Sequence, residues 1–197
     1  VGGAGLLAGV GIAVKARRPE ALVVGVEPRR AASFAEALRQ AGLTAPSAHA
    51  RLQDFDNTRL LEAAALLGHR YLVVPVPDFR ASGTLADYQH LAERLNATGE
   101  RCAAAGIQLA YHNHDFEFMK DADGIVPIEY LLENCNPKYV NFQMDLYWVT
   151  KAGADPVDYF KRYPGRFKIW HVKDMDDQGR FAPVGNGKID FKRILDN

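Results

Sequence analysis

The sequence has no excess of charge of either sign and very little cysteine. Its 197 residues contain 24 Lys plus Arg and 24 Asp plus Glu, so the formal net charge at pH 7 is zero. Nucleic-acid-binding proteins normally carry a basic excess, so this balance argues against a nucleic-acid partner. Cys102 and Cys135 are too few for a disulfide framework and lack zinc-binding spacing, which predicts a reducing, cytoplasmic setting.

Long hydrophobic runs are also missing. No apolar stretch approaches the roughly 18–20 residues that span a bilayer, so a membrane protein is not expected. The apolar opening, Val1–Val14, is broken by five glycines and has no basic lead, which is not typical of a signal peptide. The first residue is not Met and the chain stops at Asn197 inside a helical pattern, so we expect a fragment. Its 48% hydrophobic and 24% charged residues are those of a globular domain.

Short β-rich runs alternate with longer helical patterns along the chain. The predicted strands are Ala21–Val26, Thr44–His49, Tyr71–Val76, Ile107–His114, Val140–Met144 and Phe167–Val172. The predicted helices are Ala4–Arg17, Ala32–Ala41, Asn57–Leu67, Leu85–Ala105, Ile128–Asn134 and Pro156–Tyr163. This alternation predicts a parallel sheet with right-handed crossovers, either an open doubly wound sheet or a (β/α)8 barrel.

Polar side chains at the strand ends favour the barrel. His49, His112, His114, Asp145 and His171 lie at or near the carboxyl ends of four predicted strands. In a barrel these ends meet at one mouth, whereas in an open sheet they are spread along an edge. We therefore predict an α/β fold of the (β/α)8 TIM-barrel type, parallel and incomplete, with about six of the eight strands present.

The densest signal is the segment Tyr111–Phe118, which reads YHNHDFEF. Side chains alternate along a strand, so His112 and His114 point to one side and Tyr111 and Asn113 to the other. Two imidazoles on an inward face at a strand end suit a metal ligand and a substrate contact. A pair of hydrogen-bonded histidines in a polar core is the plainer alternative.

Two later segments add an acid, an imidazole and an amine. Asp145 directly follows an apolar strand and is poorly placed as a helix cap, because the next predicted helix begins only after Asp155. His171 and Lys173 share a face, and an inward lysine near a metal can polarise a carbonyl or carry a proton. His112, Asp145 and His171 together offer two imidazoles and one carboxylate from three successive strands, a ligand set that zinc, manganese and cobalt accept.

From about Phe34 to Asn197 the chain resembles the sugar phosphate isomerase/epimerase superfamily of xylose isomerase-like barrels. The resembling motifs are Leu43–His49, Tyr111–Phe118, Met144–Gly153, His171–Asp174 and Pro183–Asp190. The resemblance implies a metal-dependent enzyme that acts on sugars, ketoses, inositols or their phosphates. It also implies one divalent ion, with Mn, Zn, Co and Mg as the candidates.

The resemblance implies roles for individual residues. His112 takes the place of the strand-five ligand, where many relatives have Glu, while Asp145 and His171 match the ligands of strands six and seven. The glutamate of strand eight has no counterpart in this sequence. The predicted catalytic groups are Lys173, His114 and Glu117, and the predicted substrate contacts are His49 and Trp148.

The first residues resemble a different family. Val1–Pro19, followed by Val23–Pro28, is similar to the glycine-rich phosphate-binding stretch of the pyridoxal phosphate (PLP) enzymes threonine/serine dehydratases. The segment that would carry the Schiff-base lysine is absent, so PLP chemistry is not expected. We therefore divide the chain into residues 1–33, a dehydratase-like piece packed as part of the barrel, and residues 34–197, a partial xylose isomerase-like barrel.

The implied reaction is isomerisation or epimerisation of a sugar, keto-sugar or sugar phosphate through an enediolate intermediate. Dehydration of a keto-inositol or keto-sugar uses the same intermediate and is the first alternative, and a truncated, inert fragment is the second. Zinc-dependent cleavage of damaged DNA, found in one branch of the superfamily, is disfavoured by the zero net charge. The expected partner is a small carbohydrate, and binding to nucleic acid or to a membrane is not expected. Whether the chain forms a homo-oligomer stays open.

Overall fold

The computed structural model describes residues 31–79, 83–121 and 124–196. The predicted helix Ala4–Arg17, the predicted strand Ala21–Val26 and most of the dehydratase-like piece lie outside these residues and stay predictions. The elements of the described residues, numbered in chain order, are α1 (Ala31–Gln40), β1 (Ser47–His49), a 3₁₀ turn (Leu52–Asp56), α2 (Thr58–Leu67), β2 (Tyr71–Val74), α3 (Leu85–Ala104), β3 (Gln108–His112), a second 3₁₀ turn (Phe116–Phe118), α4 (Pro127–Asn134), β4 (Val140–Asp145), α5 (Leu146–Lys151), α6 (Pro156–Arg162), β5 (Phe167–His171), β6 (Asp174–Met175), β7 (Phe181–Ala182) and α7 (Phe191–Leu195).

Strands β1 to β5 form one parallel sheet, in which each strand pairs with the next one along the chain. The register runs from Ser47 opposite Tyr71, at the start of β1 and β2, to Asp145 opposite His171, at the ends of β4 and β5. The predicted α/β fold of the (β/α)8 type is confirmed in an incomplete form, because the five strands curl through part of a barrel. β6 and β7 form a separate antiparallel hairpin after β5.

Local sequence signals set the helix ends. The Thr84 hydroxyl accepts the N–H of Asp87, whose carboxylate accepts the N–H of Thr84, so the two residues cap α3. Gly106 follows α3 with φ near +74°, a conformation that favours glycine after a helix. Asp155 accepts the N–H of Val157 and begins α6, as predicted. Within the described ranges, no helix combines the length and apolar character that crossing a bilayer requires.

The core lies between the sheet and the helices that connect its strands. All six residues of β4 are buried, and Leu95 of α3 and Leu131 of α4 are fully buried in the same cluster. Burying each leucine side chain stabilises the fold by about 1.5–3 kcal/mol. Gly99 of α3 lets the backbone before β4 approach closely, since a Cβ at this position would lie 2.6 Å from the carbonyl oxygen of Tyr139. This contact fixes α3 against the start of β4.

Several strand boundaries differ from the prediction by one to three residues, and two differences concern site residues. α5 begins at Leu146, directly after β4, so the expectation that Asp145 is poorly placed as a helix cap is wrong: Asp145 caps α5. β3 ends at His112, so His114 lies in the following loop instead of in the strand. No turn residue separates β4 from α5, so the sequence contains no turn signal that marks where the helix begins.

Candidate active site

Four polar side chains meet where the parallel strands end. His49 ends β1, His112 ends β3, Asp145 ends β4 and His171 ends β5. The imidazole centroids of His49 and His112 are 5.2 Å apart, those of His112 and His171 also 5.2 Å, and those of His49 and His171 6.0 Å. The carboxyl ends of the strands thus converge, as the barrel prediction requires.

Gln143, which sequence reasoning missed, connects two of these imidazoles. Its side-chain oxygen lies 2.8 Å from Nε2 of His49 and 2.9 Å from Nδ1 of His112. An amide oxygen only accepts, so both rings donate to it, and Nε2 of His112 is left with a free lone pair. Gln143 lies two residues before Asp145 in β4. Side chains two residues apart in a strand lie on the same face, so the position of Gln143 relative to Asp145 is the signal that could have identified it.

The two oxygens of the buried Asp145 carboxylate have different partners. Oδ1 accepts the backbone N–H groups of Tyr147 and Trp148, at 3.0 and 3.1 Å. Oδ2 lies 2.8 Å from Nζ of Lys173, 3.2 Å from Nδ1 of His171 and 3.6 Å from Nε2 of His112. Burial raises the pKa of Asp145 above its ordinary value, while the Lys173 ammonium and the two N–H groups oppose that rise.

Burial keeps His112 and His171 neutral. Burial, together with the nearby imidazoles of His49, His114 and His171, lowers the pKa of His112 to about 2. It lowers the pKa of His171 to about 4, with the Lys173 ammonium acting in the same direction. Neutral imidazole is the form that binds metal ions, so these rings are ready to act as ligands at neutral pH.

His114 and Glu117 lie in the loop that follows β3. The His114 ring is 5.0 Å from that of His112 and 5.3 Å from that of Trp148, so it borders the cluster. The carboxylate of Glu117 is fully buried behind the loop. One oxygen accepts the Tyr111 hydroxyl and the other the backbone N–H of His114, each at 2.7 Å. This placement favours a positioning role for Glu117 over the predicted catalytic one.

An aromatic wall stands beside Lys173. Its ammonium is 5.5 Å from the ring centroid of Trp148 and 5.3 Å from that of Phe181, which sequence reasoning also missed. The hairpin that carries Phe181 is attached to α5, because the Tyr147 hydroxyl donates to the carbonyl oxygen of Gly179 at 2.8 Å. Two aromatic rings and an ammonium therefore line one side of the cluster.

The loop after this hairpin is folded around Asp174. Its buried carboxylate accepts the N–H groups of Met175, Gly185 and Gly187 at 2.8, 2.9 and 2.9 Å, and that of Ile189 at 3.2 Å. Burial alone would raise the pKa of Asp174, but these four donors bring it below the ordinary value. A Cβ on Gly187 would collide with the carboxylate, so this position requires glycine.

The predicted ligand set has the donor chemistry of a metal site. The distances from Oδ2 of Asp145 to the nearest ring nitrogens of His171 and His112 are 3.2 and 3.6 Å. Ligand atoms bound to one tetrahedral ion at roughly 2.0–2.1 Å lie about 3.3 Å from each other. Nδ1 of His171 is buried and makes no hydrogen bond within the described residues. The two distances from Oδ2 are those that a shared ion requires, and the assignment of the three residues as its ligands stays a prediction.

A second group of three also comes close together. His49, His112 and His171 each place a ring nitrogen within 4.8 Å of the others. The Nε2 atom of His49 donates to Gln143, however, which draws this ring toward β4. The two sets share His112 and His171 and differ in whether Asp145 or His49 is the third member.

Comparison with known proteins identifies the family of this barrel fold. A family model described as xylose isomerase-like TIM barrel matches residues 8–197. Inosose dehydratase of Lacticaseibacillus casei is 29% identical over 126 residues, which are 55% of this chain and 41% of that protein. The chain therefore spans about two-fifths of the length of this curated relative.

Two solved structures resemble the described fold. A sugar phosphate isomerase/epimerase from Parabacteroides distasonis superposes with a TM-score of 0.73 at 27% identity, over 84% of this chain and 63% of that one. A xylose isomerase-like TIM barrel protein from Mycobacterium smegmatis, in complex with magnesium, superposes with a TM-score of 0.67 over 98% of this chain and 77% of that one. Its 15% identity supports a shared fold alone.

Proposed function

Because this chain belongs to the xylose isomerase-like TIM barrel family, we propose that its site serves metal-assisted proton transfer next to the carbonyl group of a small sugar. The reaction is isomerisation or epimerisation of a sugar, keto-sugar or sugar phosphate. The observation that carries the proposal is the buried Oδ2 of Asp145, which two imidazoles and an ammonium approach within 3.6 Å. Such a site accepts a cation beside groups that bind and release protons.

We assign His112, Asp145 and His171 as ligands of a divalent ion, with zinc, manganese, cobalt and magnesium as candidates. When bound, the ion supplies Lewis acidity that makes a neighbouring carbon acid easier to deprotonate. Gln143 holds the His112 ring with Nε2 toward Asp145. The chain thus provides both the ligands and the group that orients one of them.

Lys173 and His114 are the groups proposed to act on the substrate. The Lys173 ammonium is held beside Asp145 and can donate a hydrogen bond to a carbonyl oxygen that gains negative charge. Burial lowers the pKa of His114, so its ring is neutral at pH 7 and able to take a proton from the neighbouring carbon. Nδ1 of His114 is buried and makes no hydrogen bond within the described residues. Glu117 then fixes the backbone of this base.

His49 and Trp148 are the proposed substrate contacts. His49 is half-buried at the rim of the imidazole cluster, where its Nδ1 is not engaged by Gln143. Trp148 presents its ring between the cluster and Lys151, whose ammonium is 4.7 Å from the ring centroid. An aromatic face packs well against the apolar face of a sugar and keeps water from the reacting carbon.

Dehydration of a keto-inositol or keto-sugar is the second candidate, and the similarity to inosose dehydratases favours it. The base removes the same proton, and hydroxide then leaves from the next carbon with a proton, as water.

Neither of the two reactions requires a reducing compartment. The two free, buried thiols of Cys102 and Cys135 are nonetheless in keeping with the cytoplasmic location proposed from the sequence.

One experiment tests the proposal and separates its two forms. The protein, loaded in turn with Mn²⁺, Zn²⁺, Co²⁺ and Mg²⁺, is incubated in D₂O with ketoses and with a keto-inositol, and the substrates are followed by NMR. Deuterium at the carbon next to the carbonyl without loss of water supports isomerisation. Loss of water supports dehydration. Neither change, with a metal ion demonstrably bound, contradicts the proposed function.

A further inference from the structure

The Asp145 carboxylate has one oxygen left for a cation. Its Oδ1 atom is used by the backbone N–H groups at the start of α5, from Tyr147 and Trp148. Only Oδ2 faces the imidazoles of His112 and His171. Any cation bound by this carboxylate therefore has to use Oδ2.

That oxygen already has a cationic partner in the chain itself. Nζ of Lys173 lies 2.8 Å from Oδ2 of Asp145, closer than either imidazole nitrogen. The Asp145 side chain is 0% exposed, so without a counter-charge its carboxylate would be a costly buried anion. Lys173 provides this counter-charge.

Two aromatic rings also lie within reach of the Lys173 ammonium. The ring centroids of Trp148 and Phe181 are 5.5 and 5.3 Å from Nζ of Lys173, within the range of cation–π attraction. These two rings offer the ammonium a second favourable position, because ring faces attract a cation without neutralising it. Lys173 can thus leave Asp145 and remain beside the site.

We propose that the Lys173 ammonium and a divalent ion compete for Oδ2 of Asp145, so that Lys173 is the built-in counter-ion of the metal-free protein. The proposal rests on the metal site proposed above. Two positive charges at one oxygen repel each other strongly in a buried setting, so the ion binds there only when the ammonium withdraws toward Trp148 and Phe181. Loading the site then frees the ammonium to meet the carbonyl oxygen of a substrate.

The competition predicts that replacing Lys173 strengthens metal binding, which is the opposite of the effect expected for a residue that supports the site. Replacing a group that supports a metal site weakens binding, whereas replacing a competitor strengthens it. Lys173→Met keeps most of the length and apolar stem of the side chain but removes the charge. Lys173→Arg retains the charge and should retain the competition. Lys168→Met, on the exposed side of β5, is the control for loss of a lysine from the same segment.

The test is a titration of each metal-free protein with Mn²⁺, followed by calorimetry. Lys173→Met is expected to bind Mn²⁺ at least tenfold more tightly than the wild type, and Lys173→Arg and Lys168→Met no more tightly. Binding by Lys173→Met alone also supports the competition. Wild-type binding with equal or weaker affinity in Lys173→Met overturns the competition and leaves the proposed metal site intact. Absence of binding in every variant overturns both.

Thermal unfolding gives a second measurement, which also reports whether Lys173 stabilises the metal-free protein. In EDTA, Lys173→Met is expected to melt at a lower temperature than the wild type, because Asp145 loses its counter-charge. Added Mn²⁺ should raise its melting temperature by more than it raises that of the wild type. An equal deficit with and without Mn²⁺ would show that Lys173 only supports the fold, and would overturn the proposal.

Discussion

The side-chain oxygen of Gln143 lies 2.9 Å from Nδ1 of His112. This contact decides which nitrogen of His112 carries the proton, and it turns Nε2 toward Asp145, 3.6 Å away. The same oxygen also accepts from His49, so one amide orients rings from two other strands. Gln143 therefore acts on the proposed metal site without being one of its ligands.

Gln143→Leu is expected to weaken metal binding by about 10–100-fold, because the His112 ring loses the partner that fixes its tautomer. Asn141→Leu is the matched control: Asn141 is another buried amide on the same face of β4, but it pairs with Gln108. Metal content after dialysis and ¹⁵N chemical shifts of the imidazoles measure the effect. Equal losses of metal binding in both variants would show that the effect is not specific to the contact between Gln143 and His112.

Asp145→Asn and Asp145→Ala separate the two functions of this side chain. Asparagine caps helices as well as aspartate does, whereas alanine costs about 1 kcal/mol at this position. We therefore expect Asp145→Asn to be the more stable of the two by about 1 kcal/mol. Neither variant is expected to retain tight metal binding or activity. Urea unfolding and metal titration measure the two effects, and tight binding by Asp145→Asn would contradict the ligand assignment.

Glu117 should make the stability of the fold depend on pH. Burial raises its pKa from 4.5 to about 7, so between these values the folded chain keeps a proton that the unfolded chain has lost. The free energy of unfolding therefore falls as the pH rises through this window, by up to about 3 kcal/mol. Glu117→Gln cannot ionise and should lack this contribution.

The measurement is urea unfolding of the wild type and Glu117→Gln at several pH values from 4.5 to 7. The difference in unfolding free energy between the two proteins removes the contributions of all other groups. Glu100→Gln, an exposed position on α3, is the control and should show a constant difference. A constant difference for Glu117→Gln as well would contradict the raised pKa.

Asp174→Ala is expected to destabilise the fold by about 3–5 kcal/mol, because four backbone N–H groups lose their common acceptor. The control is Asp176→Ala in the same hairpin, whose partly exposed carboxylate accepts the N–H groups of Gln178 and Arg180 and pairs with the Arg180 guanidinium, and whose donors can turn to water. That change should cost about 1 kcal/mol or less. Urea unfolding followed by tryptophan fluorescence measures both, and similar costs would show that the loop does not depend on Asp174.

The sequence predicts the elements of the described fold closely where local signals are strong. β4 was expected to begin at Val140 and does, since its residues are continuously apolar or inward-facing. α3 was expected from Leu85 and begins there, because Thr84 and Asp87 form a capping pair. Periodicity and capping act over a few residues, so one sequence suffices to predict them.

The site was harder to predict because it depends on contacts between distant segments. Strand alternation places Gln143 on the same face of β4 as Asp145, but no local pattern reports its contact with His49, 94 residues earlier. Phe181 reaches Lys173 only because the hairpin folds back onto α5. The capping role of Asp145 was missed because a strand and a helix meet there without a turn. The ligand roles of His112, Asp145 and His171 stay predictions.

Asp145 ends β4 and begins α5 with no residue between them. The Asp145 carboxylate and the Trp148 ring are consequently parts of one short peptide, and a single inserted residue after Asp145 would displace them relative to each other. A change in the size of the proposed sugar substrate is therefore expected to require a change first in the hairpin that carries Phe181. That hairpin contacts the site through Phe181, so its turn can change in length while the proposed metal ligands keep their spacing.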